Sequence, residues 1–278
     1  MELLPLAFAA VAVVVGATLQ RVSGFGVGLV VAPTLSVVMG PGVGVLLTNM
    51  TTVVSGLVIM LAVWRHIDWR RFWLIGPMTV IGAFAGAWLV GQLATGWLSI
   101  ILGTLVGIAL ICAVGLPRLP LAQGPLPALT SGVIGGFFNT TSGVAGPVFA
   151  VYSRLSRWDQ RAFAATLQPL FITMGLASII TKITMGSLEE HFDDAAAGGF
   201  LGLSDSWLDA AASVGISGAV ADLGLVFLGI VLMVMLGALL GSRLSRVLAA
   251  LTARRIAMTV AGLGAAAAIV RGILELLG

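Results

Sequence analysis

Charge is scarce in this chain. Of its 278 residues only 9% are Asp, Glu, Lys or Arg, while 59% are hydrophobic, and mean hydropathy is +1.13. A soluble domain of this size cannot hide so much apolar surface, so composition alone makes it a polytopic membrane protein. Cysteine occurs once, as Cys112, which excludes an intrachain disulfide. The two histidines, His66 and His191, are too few for a His-built metal site. Both fall in loops, away from any membrane serine they might activate as a protease base. Asp68, Asp159 and Glu275 lie at span ends or in loops, so a proton relay on an Asp or Glu chain is not evident. No catalytic residue, metal or cofactor is expected, and the chain reads as a non-enzyme. Residues 1–20 lack a basic leader region and read as a retained first segment.

What is plentiful is apolar sequence and glycine. The 37 glycines suit close helix packing in lipid. Apolar runs long enough for a crossing, about 20 residues of helix, occupy 43–63, 72–93, 97–116, 162–184, 214–241 and 255–277. Two regions fit less simply. Residues 3–39 and 126–155 each hold two apolar pieces around a polar break. The pieces of the second are about 13 residues each, too short to cross singly, so this region is expected to be a re-entrant hairpin. The first begins with a longer piece and fits either a hairpin or two full crossings. The expected fold is therefore all-α, with about eight to ten membrane segments: two homologous halves, each a broken or re-entrant helix pair followed by three transmembrane helices.

Loop charge sets orientation. Arg65, Arg70 and Arg71 mark one loop as cytoplasmic, and Arg154, Arg157 and Arg161 mark another. The residues between 242 and 255 carry Arg243, Arg246, Arg254 and Arg255, also an inside signature. The segment from 185 to 213 holds Glu189, Glu190, Asp193, Asp194, Asp205 and Asp209 with no Lys or Arg, which suits an external insertion. The 14 basic residues are topology signals and do not form a nucleic-acid surface. Equivalent loops of the two halves swap sign, as inverted repeats require; parallel halves would give equivalent loops similar charge. Inversion is favoured, with 1–116 as the first repeat, 117–125 as a cytoplasmic linker and 126–278 as the second repeat. Both termini then lie outside a multi-pass protein of the cell inner membrane.

The two breaks share a pattern. Gln20-Arg21-Val22-Ser23-Gly24-Phe25-Gly26 in the first half corresponds to Asn139-Thr140-Thr141-Ser142-Gly143-Val144-Ala145 in the second. At the same offset Asn49 corresponds to Gln168. Twinned interruptions in matching halves mark a transporter's substrate site. An unwound segment frees backbone N–H groups, and the helix that follows points its positive end at the break. That chemistry suits an anion. The candidate substrate-binding residues are Arg21, Ser23, Gly24, Gly26, Asn49, Asn139, Thr141, Ser142, Gly143 and Gln168, with Thr48, Thr51 and Thr140 as further polar lining. Arg21 offers planar bidentate geometry toward a sulfonate or carboxylate. Lys182 reads as a helix end near the external surface.

The run Gly24-Phe-Gly-Val-Gly28-Leu-Val-Val-Ala-Pro33, then Gly40-Pro41 and residues 43–52, resembles the first half of the TauE/SafE family, also called the sulfite exporter family. Gly132-Val-Ile-Gly-Gly136, Ser142-Gly143 and Gly146-Pro147 echo it in the second half. The resemblance implies secondary transport, by an exporter, of sulfur-containing anions such as sulfite, sulfonates or sulfur-bearing organic acids. With no membrane carboxylate evident, coupling to H+, to Na+ or to neither is left open. A passive anion channel and a carrier of non-sulfur organic anions are the alternatives. The expected partners are a small anion and the lipid bilayer.

Overall fold

The structure, a computed structural model, describes residues 3–23, 27–115, 124–185, 218–247 and 249–277. The expected linker and external insertion therefore lie mostly outside the described residues, as do Gly24 and Gly26 of the first break. Ten α-helices follow one another among the described residues. They are α1 (Leu3–Ser23), α2 (Val27–Met39), α3 (Pro41–Val63), α4 (Trp69–Val90), α5 (Thr95–Gly115), α6 (Pro125–Ser142), α7 (Gly146–Leu155), α8 (Gln160–Thr184), α9 (Gly218–Leu244) and α10 (Ala250–Leu277). No strand occurs among the described residues.

Helix starts follow the local chemistry. Asp68 accepts from the Arg71 backbone N–H at 3.1 Å and caps α4; Asp159 accepts from Ala162 N–H at 2.9 Å and caps α8. Such caps satisfy the orphan donors of a first helical turn. Gly40, at φ 85°, precedes Pro41 at the start of α3. Gly143, at φ 71°, ends α6 in the left-handed conformation that glycine tolerates best.

The second broken region departs from the expectation of two equal pieces. Its arms are unequal: α6 has 18 residues and α7 only 10. The first region is divided in the same sense, with 21 residues in α1 and 13 in α2. At 1.5 Å per residue the short arms α2 and α7 span about 20 Å and 15 Å. Neither can cross a hydrocarbon core of about 30 Å. Placing Gly143, the left-handed stop, after the polar run lengthens the first arm at the expense of the second.

Packing pairs the helices in a reciprocal way. Equivalent helices α3 and α8 lie side by side, as do α5 and α10, while α1 packs on α9 and α6 on α4. The α3–α8 pair is antiparallel: Gly56 meets Ile172 and the Gln168 carbonyl, and Gly175 meets Val53 and the Asn49 carbonyl. The α5–α10 pair is antiparallel too, with Gly103 against Ala265 and Gly272 against the Gly96 carbonyl. By contrast α6 runs parallel to α4, and α1 parallel to α9. Each parallel pair uses a glycine repeat of the same spacing, Gly82 and Gly86 in α4 and Gly237 and Gly241 in α9. Small residues at this spacing let backbones approach, the main source of helix affinity in lipid, where apolar burial gives no drive.

The basic loops preceding α4 and α8 lie together. The Asp68 N–H donates to Thr166 Oγ1 at 2.8 Å, and the Arg71 guanidinium sits 4.6 Å from the Trp158 ring centre. Both helices thus start from one face of the molecule. The apolar helices of membrane-spanning length among the described residues include Trp69–Val90 and Gln160–Thr184.

A side chain at Gly82 would run into the Val133 carbonyl of α6, whereas one at Gly107 meets nothing within 4 Å. Gly82→Leu is expected to lower stability by about 1–3 kcal/mol. Gly107→Ala should stay within about 0.5 kcal/mol of the parent. Melting curves of the two variants in the same detergent check this.

Candidate functional site

The start of α2 touches the second break. A Cβ at Gly28, in the first turn of α2, would strike the Gly143 carbonyl and lie 3.6 Å from Val144 Cα. Around this contact is a cavity lined by Gln20, Thr52, Asn139 and Phe171, by Val27 to Leu29, and by Gly143 to Gly146. It is small, about 20 Å³, room for little more than one ordered water. Among the described residues, none of those that line the cavity is charged.

The short helices meet here by their N-terminal ends. Val27, Gly28 and Leu29 open α2, and Gly146 opens α7. From the cavity α2 returns along α1, its first turn beside Gly16, while α7 continues toward the basic loop that leads into α8. First-turn N–H groups have no intrahelical acceptor, and each helix end carries roughly half a positive charge. Two such ends at one neutral, buried cavity create a positive potential without any cationic side chain.

Four buried amides bracket the cavity, none more than 2% exposed. Asn139 Nδ2 donates to Asn49 Oδ1 at 2.7 Å, and Asn49 Nδ2 donates to Ser178 Oγ at 2.9 Å. Gln20 Nε2 donates to Gln168 Oε1 at 3.1 Å, and Ser55 Oγ donates to Gln20 Oε1 at 2.9 Å. These are reciprocal bonds. Gln20 and Asn139 hold matching places before the two breaks, Asn49 and Gln168 hold matching places in α3 and α8, and each amide bonds across to the other half. An amide nitrogen carries two donors. Each of these two nitrogens makes one such bond among the described residues, and both residues line the cavity.

The sequence-derived candidates divide accordingly. Asn139 and Gly143 line the cavity, and Asn49 and Gln168 hold the amides that do so. Thr141 and Ser142 turn their hydroxyls to their own helix, donating to the Phe137 and Phe138 carbonyls. Thr48 and Thr51 do the same toward Gly44 and Leu47. Thr140 is buried against Gly86. Ser23 ends α1, and Gly24 and Gly26 are outside the described residues. Arg21 is not among the lining residues: it is half-buried, with its Cβ and Cγ on the Gly241 position of α9. The α-helical turn explains this, since neighbours Gln20 and Arg21 project about 100° apart.

Gln20, Thr52 and Phe171 also line the cavity and are not among the candidates named from the sequence. Gln20 was within reach of the sequence, as the counterpart of Asn139 in the aligned breaks. Lys182 is also unlike its expected surface position: it is 3% exposed.

A family model described as Sulfite exporter TauE/SafE matches residues 8–269. The chain belongs to the TauE/SafE family. TauE/SafE proteins are membrane transporters rather than enzymes, so this chain is a multi-pass membrane protein of the anion-exporter class. Comparisons with curated proteins and with solved structures found no match.

Removing Asn139 leaves Asn49 without its acceptor role, at a cost of about 1–3 kcal/mol for a buried polar group. Asn49→Ala and Asn139→Ala are each expected to destabilise, and the double variant by less than their sum. A coupling of about 0.6–1.7 kcal/mol in a double-mutant cycle is the expected range in a membrane protein. Full additivity contradicts the bridge.

Proposed function

We propose that the chain is a secondary exporter of a small sulfur-bearing oxyanion, such as sulfite, a sulfonate or a sulfur-bearing organic acid, held between its two halves. The observation that carries the proposal is the convergence of the α2 and α7 N-terminal ends on one uncharged, amide-lined cavity. Backbone N–H groups and the side-chain N–H groups of Gln20 and Asn139 are donors, and an oxyanion accepts from all of them. Helix ends stabilise an anion by about 0.3–1 kcal/mol each, and more when buried. A carboxylate lining would oppose this, and the described residues of the lining include none.

The halves are read as inverted repeats, 1–116 and 126–278, joined by a cytoplasmic linker. Antiparallel packing of α3 on α8 and of α5 on α10 supports this reading, because halves inserted in one direction would set equivalent helices parallel. The positive-inside rule then puts the basic loops before α4 and α8 in the cytoplasm and both termini outside the inner membrane. The small cavity volume fits an occluded stage of an alternating cycle, in which one half rocks against the other around a fixed site. Coupling falls to H+ or Na+, or to the gradient of the anion itself.

Proteoliposomes loaded with sulfite test the carrier directly. Flux is expected to saturate, to accelerate when sulfite is present on the opposite side, and to fall at least about tenfold in Gln168→Leu or Asn139→Leu. Flux that rises linearly with concentration and shows no trans-acceleration overturns the carrier in favour of a channel. Normal flux in both variants overturns the site.

A further inference from the structure

The short arm α2 ends with little chain to finish it. The last four carbonyls of a helix, here Ser36 to Met39, have no partner within the helix. Only Gly40 separates α2 from α3, whose first residue, Pro41, brings no N–H. The other short arm closes on its own chain: the Tyr152, Ser153 and Arg154 carbonyls of α7 accept from the Ser156, Trp158 and Arg157 N–H groups that follow. For α2 the donor comes from the far end of the sequence. Arg271 of α10 donates through Nη1 to the Val37 carbonyl at 2.6 Å and to the Ser36 carbonyl at 3.3 Å. Its Nε donates to Glu275 Oε1 at 2.7 Å, which fixes the plane of the guanidinium.

The same helix braces α2 at its weak point. Pro33 lies inside α2 and offers no N–H to the Leu29 carbonyl one turn back, so a bend is expected there. Leu29 belongs to the turn that lines the cavity. Gly264 of α10 lies against Pro33, where a Cβ would strike the proline ring. Gly264 and Arg271 are seven residues apart, two turns along one face of α10. That face therefore grips α2 at the proline and again beyond it, at the end away from the cavity. A cation at a helix C-terminus is favourable, and the rigid guanidinium fork can serve two carbonyls and a carboxylate together.

We propose that Arg271 is a positioning residue for the anion: by fixing the C-terminal end of α2 to α10, it sets where the first turn of α2 stands in the cavity. The inference rests on the proposed binding of an oxyanion there. Arg271 is not among the residues that line the cavity, and it acts through the 13 residues of α2.

The test combines hydrogen exchange of the purified protein with sulfite flux in proteoliposomes. Arg271→Gln is expected to speed exchange at Val31 and Ala32, whose N–H groups close the first turn of α2 onto the Val27 and Gly28 carbonyls. The half-saturating sulfite concentration should rise about twofold to fivefold, the worth of one helix end to an anion. Arg271→Lys should recover part of both losses. Glu275→Gln, whose amide oxygen still accepts from Nε, should match the parent. Unchanged exchange at Val31 and Ala32 overturns the proposal. So does an unchanged half-saturating concentration, even with lower maximal flux, which is the mark of a merely structural residue. Should Arg271→Gln fail to fold, Arg271→Lys carries both comparisons, since an ammonium lacks the fork. Wild-type protein that moves no sulfite removes the transport reading instead, and exchange at Val31 and Ala32 then decides the role of Arg271 alone.

Discussion

A helix broken inside hydrocarbon exposes N–H groups that lipid cannot satisfy, so the break must be covered by protein or must face a polar cavity. Here the start of α2 covers the second break. Gly28 in its first turn lies against Gly143 and Val144, and α7 starts close by at Gly146. The short arms α2 and α7 cannot span a bilayer alone, so they are held by the full-length helices α3, α5 and α10 around them. The cavity left between them inherits the positive ends of both.

Glycine sets how closely the supporting helices approach. Gly56 and Gly175 bring α3 and α8 together at the level of the amides, and Gly82, Gly86, Gly237 and Gly241 seat the long arms on α4 and α9. A methyl group at several of these positions would meet backbone atoms, which cannot move aside as a flexible side chain can. The amide bridges add specificity. Asn139 bonds Asn49 and Gln20 bonds Gln168, so each bridge ties a helix beside a break to α3 or α8.

Much of this was legible in the sequence, and the failures have physical causes. The apolar runs and the twinned breaks stand out because a polar interruption in lipid is expensive, and Asn49 and Gln168 stand out because amides are seldom buried idle. The unequal arms α6 and α7 were not legible, because helix continuation through Asn139-Thr140-Thr141-Ser142 depends on hydroxyls bonding back to their own helix. Arg21 drew weight as a charge beside a break, yet its neighbour Gln20 is the residue turned to the cavity. One position along a helix is about 100° of rotation, and only packing shows which side faces inward. Lys182 was hidden for the same reason: a basic residue near a helix end reads as interfacial until its burial is known.

Selenite has the shape and charge pattern of sulfite and scatters strongly, so an anomalous-scattering crystal structure of the selenite-soaked protein tests the anion cavity most directly. A selenium peak between Gly28 and Gly146, within hydrogen-bonding reach of Gln20 and Asn139, is the predicted result. A cavity without a peak at saturating selenite, or peaks confined to Arg21 and the surface arginines, contradicts it.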